Sequence, residues 1–502
     1  MPKTRPYLFY DVAISICSTC YRKVEAKTVF QDGSVYLLKR CPQHGSERVL
    51  IADDIDYYRR CREVFIKPPE MPQVYNTPVK WGCPYDCGLC TDHEQHSCLT
   101  LVEICDYCNL RCPVCYAASG PERQQFRTLP QIEKMLDAVV RNEGHPDVVQ
   151  LSGGEPTLHP DFFTIVEMAK ARPIKHLMVN TNGVRIAQEE DFVKRLAEVR
   201  DDFEVYLQFD SFEREPLMQL RGADLRRVRL DALEKLNRRN ISTNLVVTLK
   251  KGLNDHEIGR TIDFALQQPC VRGVTFQPIQ DAGRLENFNP ATDRLTLTEV
   301  RRKILEQTTV FRPEDVIPVP CHPDSLAMAY TLKLAGKVVP LTSMIPPEVL
   351  INGAANTILY EQDSAVRDNL FKLFATNHSP KSGAGTLREL LCCLPKIWIP
   401  EVVTECSTAH VGTATSAVQS SEARLPSTNA LSYENIFRII IMQFIDAHSF
   451  DVRSVKKTCV HIVHPDGRLI PFDTYNLFYR DNLETTRLTP LRQNAESALS
   501  PI

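Results

Sequence analysis

Eighteen cysteines stand in a chain of 502 residues, and most fall in runs with metal-ligand spacing. Four of them, Cys105, Cys108, Cys112 and Cys115, crowd into Ile104-Cys-Asp-Tyr-Cys-Asn-Leu-Arg-Cys-Pro-Val-Cys-Tyr-Ala117. The last three have the spacing C-x3-C-x2-C. Three thiolates on one short loop can hold three irons of a 4Fe–4S cube and leave the fourth iron open to a ligand, as an open position does on catalytic zinc. The bland alternative is a zinc knuckle or a structural cluster. Cys83, Cys87 and Cys90 repeat the same spacing, so two triads compete for the reactive role. Position separates them. The run Leu99–Ile104 reads as a strand that enters the later triad, and the next strand ends in Gly153-Gly154-Glu155-Pro156. Cys108, Cys112 and Cys115 are therefore the expected catalytic ligands. The earlier triad is assigned to an auxiliary cluster completed by Cys98 or Cys105.

A third constellation lies near the start. Cys17-Ser-Thr-Cys20 and Cys41-Pro-Gln-His44 flank an expected hairpin that turns at Asp32-Gly33, a strong turn signal. Two knuckles around a hairpin describe a zinc-ribbon or rubredoxin-like mononuclear site. Cys17, Cys20 and Cys41 are three ligands, and the fourth is His44 or Cys61. Pro318-Val-Pro-Cys321-His-Pro323 is a rigid turn that presents a thiol, and Cys459 opens a strand-and-turn run further on.

The elements that must position these groups follow from periodicity. Strands are expected at 99–104, 147–151, 175–180, 203–209, 241–248 and 272–277, separated by helical stretches. In 131–140 the apolar positions 132, 135, 136, 139 and 140 share one face, with Thr128 as N-cap. Six βα units predict a parallel sheet, whose ligands sit at strand C-termini. Leu297–Thr308 and the apolar run Phe437–Phe450 read as helices, and 404–432, rich in Ser, Thr and Ala, as a mobile insert. The expected organisation is a metal-binding unit (1–75), an auxiliary cluster segment (76–98), an α/β core (99–280) and an α+β C-terminal cluster-binding region (281–502).

The net charge of −3 gives no reason to expect a nucleic-acid partner. A start without an apolar signal core, and cysteines in ligand spacing rather than a secreted disulfide framework, point to a reducing cytoplasm. No uninterrupted apolar run approaches a membrane span.

The cysteine loop followed one βα unit later by Gly153-Gly154-Glu155-Pro156 resembles the radical S-adenosylmethionine (SAM) superfamily. That resemblance implies a partial (β/α)6 barrel, a SAM-binding 4Fe–4S cluster, and one-electron cleavage of SAM to a 5′-deoxyadenosyl radical. It implies that Gly153, Gly154 and Glu155 bind the SAM amino group. Tyr116, Asn182, Gln208, Asp210 and Pro278 are the further contacts, with Arg221 either a partner of the SAM carboxylate or a solvated helix residue. The N-terminal CxxC with its later CPQHG, the segment GCPYDCGLC, PCHPDS and the run CVHIVHPDGRLIPFDTYN resemble archaeal tetraether lipid synthases and their bacterial relatives. This second resemblance implies carbon–carbon coupling of lipid chains, one or two auxiliary 4Fe–4S clusters, and a mononuclear iron or zinc. One auxiliary cluster would use Cys321 and Cys459, with Cys392 and Cys393 as further candidates. It also implies a membrane lipid substrate, a reductant such as ferredoxin or flavodoxin, and a peripheral place at the inner membrane face. An apolar channel walled by 338–360 and Phe437–Phe450 is expected to admit the alkyl chains. The alternatives are a radical SAM methyltransferase acting on a pterin-like heterocycle and, from another class, a cluster-bearing electron-transfer protein.

Overall fold

The computed structural model describes residues 5–65, 70–286, 288–334, 337–343, 345–353 and 435–499. Cys392, Cys393, Cys406 and the expected insert 404–432 lie outside the described residues. Among the described residues, no helix is long and apolar enough to cross a membrane.

The chain opens with four antiparallel strands in sequential order: β1 (Leu8–Ile16), β2 (Lys23–Gln31), β3 (Ser34–Cys41) and β4 (Gly45–Ala52). Gln31 pairs with Ser34 across the β2–β3 turn. Asp32 and Gly33 take φ of 51° and 75°, the two positive values that a type I′ hairpin requires. Asp54 caps the helix that follows, its carboxylate accepting from the Tyr57 N–H at 2.9 Å.

The core strands are β5 (Leu99–Cys105), β6 (Val148–Gly153), β7 (His176–Thr181), β8 (Phe203–Gln208), β9 (Thr243–Leu249) and β10 (Val271–Pro278). They are parallel neighbours in that order, at the places the βα alternation predicts. Alternation within each strand divides the core in two. Val102, Val149, Val179, Val205 and Leu245 face the outer helices. Leu101, Val148, Met178, Tyr206 and Val246 face inward, where they join the C-terminal residues Val460 and Phe472 in a second apolar cluster.

The C-terminal half is built into this sheet. Four of its strands are β11 (Ile317–Pro318), β12 (Leu326–Leu334), β13 (Lys337–Pro340) and β14 (Ile436–Met442). They extend the edge beyond β10, with β14 parallel to it. β15 (Val460–Val463) lies parallel to β5 at the other edge and pairs with β16 (Leu469–Pro471). The expected helix over Phe437–Phe450 is thus a strand and a following turn. A continuous apolar run does not separate a buried helix from a strand buried on both faces. Here all seven residues of Ile-Phe-Arg-Ile-Ile-Ile-Met are buried, and the β-branched side chains favour the sheet. Arg438, inside that run, donates to both carboxylate oxygens of Glu204 at 2.6 and 2.8 Å.

Candidate active site and metal centres

The cluster loop leaves β5 and folds back over the C-terminal end of β6. Two backbone hydrogen bonds staple it there: Gly154 N–H donates to the Cys105 carbonyl and Glu155 N–H to the Tyr107 carbonyl, each at 2.8 Å. A Cβ on Gly153 would stand 2.1 Å from the Cys105 oxygen, and one on Gly154 would stand 2.1 Å from the Tyr107 oxygen. The glycines are therefore required by the approach of the cysteine loop's own backbone, before any ligand is considered. On the far side Arg284 clamps the loop. Its backbone N–H donates to the Cys115 carbonyl at 2.8 Å and its Nε to the Cys112 carbonyl at 2.6 Å.

Beneath this loop, at the strand C-termini, lies a cavity of about 160 Å³. Cys108, Cys112, Cys115, Tyr116, Gly153, Gly154, Glu155, Asn182, Gln208 and Pro278 all line it. Burial holds the Cys108 and Cys112 thiols above their ordinary pKa, so any metal they took up would have to displace their protons. The Tyr116 hydroxyl lies 3.0 Å from the Ser152 hydroxyl. Asn182 Nδ2 donates to Asn109 Oδ1 at 2.7 Å, which joins the loop to the end of β7.

Two expected contacts have other work. Asp210 is fully buried behind Arg221, which grips it with Nε at 2.7 Å and Nη2 at 2.6 Å. Burial raises the Asp210 pKa, but Arg221 and Arg229 outweigh it and hold the carboxyl below its usual range. Asp210 therefore fixes Arg221, which itself lines the cavity and also donates to Gln208 Oε1 and Thr248 Oγ1, each at 2.8 Å. Arg221 is thus no solvated helix residue. Glu155 also lines the cavity, but its carboxylate is occupied by Thr157 Oγ1 at 2.5 Å, Thr181 Oγ1 at 2.7 Å and the Asn182 N–H at 2.7 Å. Arg229 and Arg284 were missed from the sequence. Each is one arginine among many, with no spacing that ties it to the cysteines.

The ribbon centre is compact. Cys17, Cys20, Cys41 and His44 bring their ligand atoms within 4.8 Å of one another. Cys17 and Cys41 sulfurs are each 3.5 Å from His44 Nδ1, and Cys20 is 3.8 Å from Cys41. Tetrahedral ligands about 2.3 Å from a metal stand about 3.8 Å apart, so the set fits one mononuclear ion. Cys61 is not the fourth ligand: it sits buried on the helix Ile55–Glu63, and burial pushes its thiol up to about 12.

Among the described residues, a second group meets the same 4.8 Å limit: Cys98, Cys321 and Cys459. The Cys321 and Cys459 sulfurs are 3.2 Å apart. The reason is the sheet edge: Leu99 N–H donates to the Cys459 carbonyl at 3.1 Å, which sets the start of β15 beside the start of β5. This corrects the expectation that Cys98 completes the Cys83–Cys87–Cys90 set. Cys105 does not complete it either; its sulfur faces the Tyr107 carbonyl at 3.6 Å. The Cys83–Cys90 loop is built on Asp86, whose Oδ2 accepts from the backbone N–H of Lys80 at 2.6 Å and Gly82 at 3.0 Å. The C-terminal segment covers it, with the Tyr479 hydroxyl accepting from the Cys87 N–H at 3.0 Å.

Residues 102–265 match the model of the Radical SAM superfamily, and residues 9–53 match the HMPTM N-terminal zinc ribbon domain. The chain is 28% identical to the 7,8-dihydro-6-hydroxymethylpterin dimethyltransferase of Methanocaldococcus jannaschii, covering 96% of each chain. It is 26% identical to the GTP 3',8-cyclase of Alkaliphilus oremlandii over 46% of this chain and 68% of that protein. Among solved structures, SuiB of Streptococcus suis bound to S-adenosylmethionine is 16% identical, with a TM-score of 0.35, covering 42% of this chain and 47% of that one.

Proposed function

We propose that this chain, a radical SAM enzyme with 4Fe–4S clusters and a mononuclear iron or zinc, methylates a pterin-like heterocycle. The observation that carries the reading is the full-length similarity to a pterin dimethyltransferase, 96% of both chains, which includes the ribbon and the C-terminal half that a bare radical SAM core lacks.

Cys108, Cys112 and Cys115 would hold the SAM cluster, with the backbone of Gly153 and Gly154, Asn182, Gln208 and Arg221 around the SAM itself. When bound, that group supplies one-electron cleavage of SAM, the chemistry that C–H positions without acidity require. The chain's own residues do the rest. Arg221, held by Asp210, presents a fixed cation to a carboxylate. The cysteine loop and the end of β6 cannot separate without breaking their two backbone hydrogen bonds. Phe444 and Phe472, stacked with ring centroids 4.0 Å apart, line the cavity with Leu99, Leu101 and Met442 and keep water from the reacting groups.

The lipid-coupling reading belongs to the same chemistry with a different substrate. It rests on the motif resemblance, and the comparisons lend it nothing. One of its two expected channel walls, Phe437–Phe450, is a sheet strand and turn that contributes Met442 and Phe444 to the cavity. The test is anaerobic turnover of reconstituted enzyme with SAM, reductant and 7,8-dihydro-6-hydroxymethylpterin. A product heavier by one or two methyl groups supports the proposal. Deoxyadenosine formation with an unchanged pterin, and joined chains when lipid is supplied, would reverse the preference. Label in the methyl group of SAM reports whether SAM is also the methyl donor.

A further inference from the structure

Strand β6 carries two kinds of residue into the barrel. Its C-terminal end supplies Gly153, Gly154 and Glu155. One inward position below Ser152, deeper in the barrel, it supplies Gln150. This side chain lines the cavity and is 4% exposed. Its Nε2 makes no hydrogen bond to any described residue. A buried amide donor without an acceptor is disfavoured and uncommon in folded proteins. Its neighbours on the inner face contrast with it. Leu101 stands beside it on β5. Across the cavity, Gln277 Nε2 is already engaged, donating to the Tyr206 hydroxyl at 3.1 Å. The chamber thus has an aromatic pair and two pre-bonded polar pairs, Gln277–Tyr206 and Gln208–Asn180. Among the described lining residues its unpartnered donors are Arg229 Nε, on a guanidinium already tied to Asn182 and Asp210, and the wholly unengaged amide of Gln150.

We propose that Gln150 is a specificity-determining residue that reads the polar edge of a flat heterocyclic substrate by donating to its ring carbonyl or ring nitrogen. Apolar walls with a few convergent polar groups suit a flat ring with a polar rim. An unspent buried donor also rejects ring systems that offer no acceptor, because such a ligand leaves the donor unpaired. An alkyl chain offers it nothing. The inference rests on the reading of this cavity as the substrate chamber of a heterocycle methylase.

The test is calorimetric titration of the reconstituted, SAM-bound holoenzyme with 7,8-dihydro-6-hydroxymethylpterin, lumazine and guanine as probes, for wild type, Gln150→Leu and Gln150→Glu. Both variants are expected to weaken pterin binding about 10- to 100-fold, with SAM affinity and iron content unchanged. Gln150→Leu is also expected to melt no lower than wild type in the absence of a heterocycle, since it removes an unpaired buried donor. A purely structural glutamine would show the opposite melting shift. Pterin binding within about twofold of wild type in Gln150→Glu and in any folded Gln150→Leu overturns the inference and leaves the pterin reading standing. A wild type that binds lumazine or guanine but not the pterin, with the same dependence on Gln150, keeps the inference and removes the pterin reading. A wild type that binds none of the three overturns both.

Discussion

The ribbon centre and the Cys98–Cys321–Cys459 centre hold their ligands in opposite ways. The first draws all four from residues 17 to 44, inside one antiparallel unit. The second draws three thiols from segments separated by more than a hundred residues at each step, brought together where β15 joins the edge at β5. A local site closes when its hairpin forms. An assembled site closes only when the sheet does, so its metal reports on tertiary structure and its loss should loosen the sheet edge. The two C-x3-C-x2-C triads carry the same lesson. Their spacing is identical, yet one opens into the cavity and the other is capped by the C-terminal segment.

The largest expected effect tests the triads. Replacing Cys108, Cys112 and Cys115 together with Ala should reduce deoxyadenosine formation to background, with the ribbon metal retained. If SAM cleavage survives there and is lost in the Cys83–Cys87–Cys90 triple variant, the roles are reversed.

Next come the centres themselves. Cys98→Ser and Cys459→Ser should each remove the same increment of iron, and the double variant no more than either. Each should also lower the main melting transition by several degrees, because losing a metal that ties three distant segments costs several kcal/mol and a large domain shifts by roughly 2 °C or less per kcal/mol. Iron loss shared by Cys98→Ser and Cys83→Ser would return Cys98 to the earlier triad.

A smaller and more local effect is expected of Cys17→Ser. It should release the mononuclear metal and expose the ribbon to protease while the barrel's melting transition stays within about a degree, since metal binding and folding are coupled only within the unit that supplies the ligands.

The smallest effect is on the joint between the two regions. His448 Nδ1 lies 2.7 Å from Glu47 of the ribbon, and Nε2 lies 3.5 Å from Asp281. Burial opposes the charge on His448, but these two carboxylates outweigh it and lift its pKa to about 9. A histidine whose folded pKa is raised contributes stability that is complete below its unfolded value of about 6.5, and that is lost as pH rises through 9. Docking of the ribbon should therefore weaken between pH 6.5 and 9, by roughly 1–2 kcal/mol once solvent screening of this part-exposed histidine is discounted, and His448→Gln should flatten that dependence. Hydrogen exchange at β4 against pH measures it.

The legible parts of this molecule are those with short-range causes. All six core strands follow from alternation, the ribbon from two knuckles and an Asp-Gly turn, and much of the cavity lining from one loop and one strand end. The Phe437–Phe450 run was misread because burial on both faces erases the period that separates strand from helix. The Arg221 partnership of Asp210 was not legible, because a carboxylate at a strand end looks the same whether it faces a ligand or an arginine behind it. The partnership of Cys98 with Cys321 and Cys459 left no trace in spacing.

By itself the sequence determined which thiols share short loops, the parallel core, and the strand end whose glycines meet the cysteine loop, because each depends on neighbours a few residues apart and on the pleat's period of two. The tertiary structure alone decided which fourth ligand closes the ribbon, which centre takes Cys98, that Asp210 serves Arg221, and that the Gln150 amide finds no acceptor among the described residues. Those outcomes depend on which distant side chains arrive to satisfy a buried charge or hydrogen bond, and only the closed sheet brings them there.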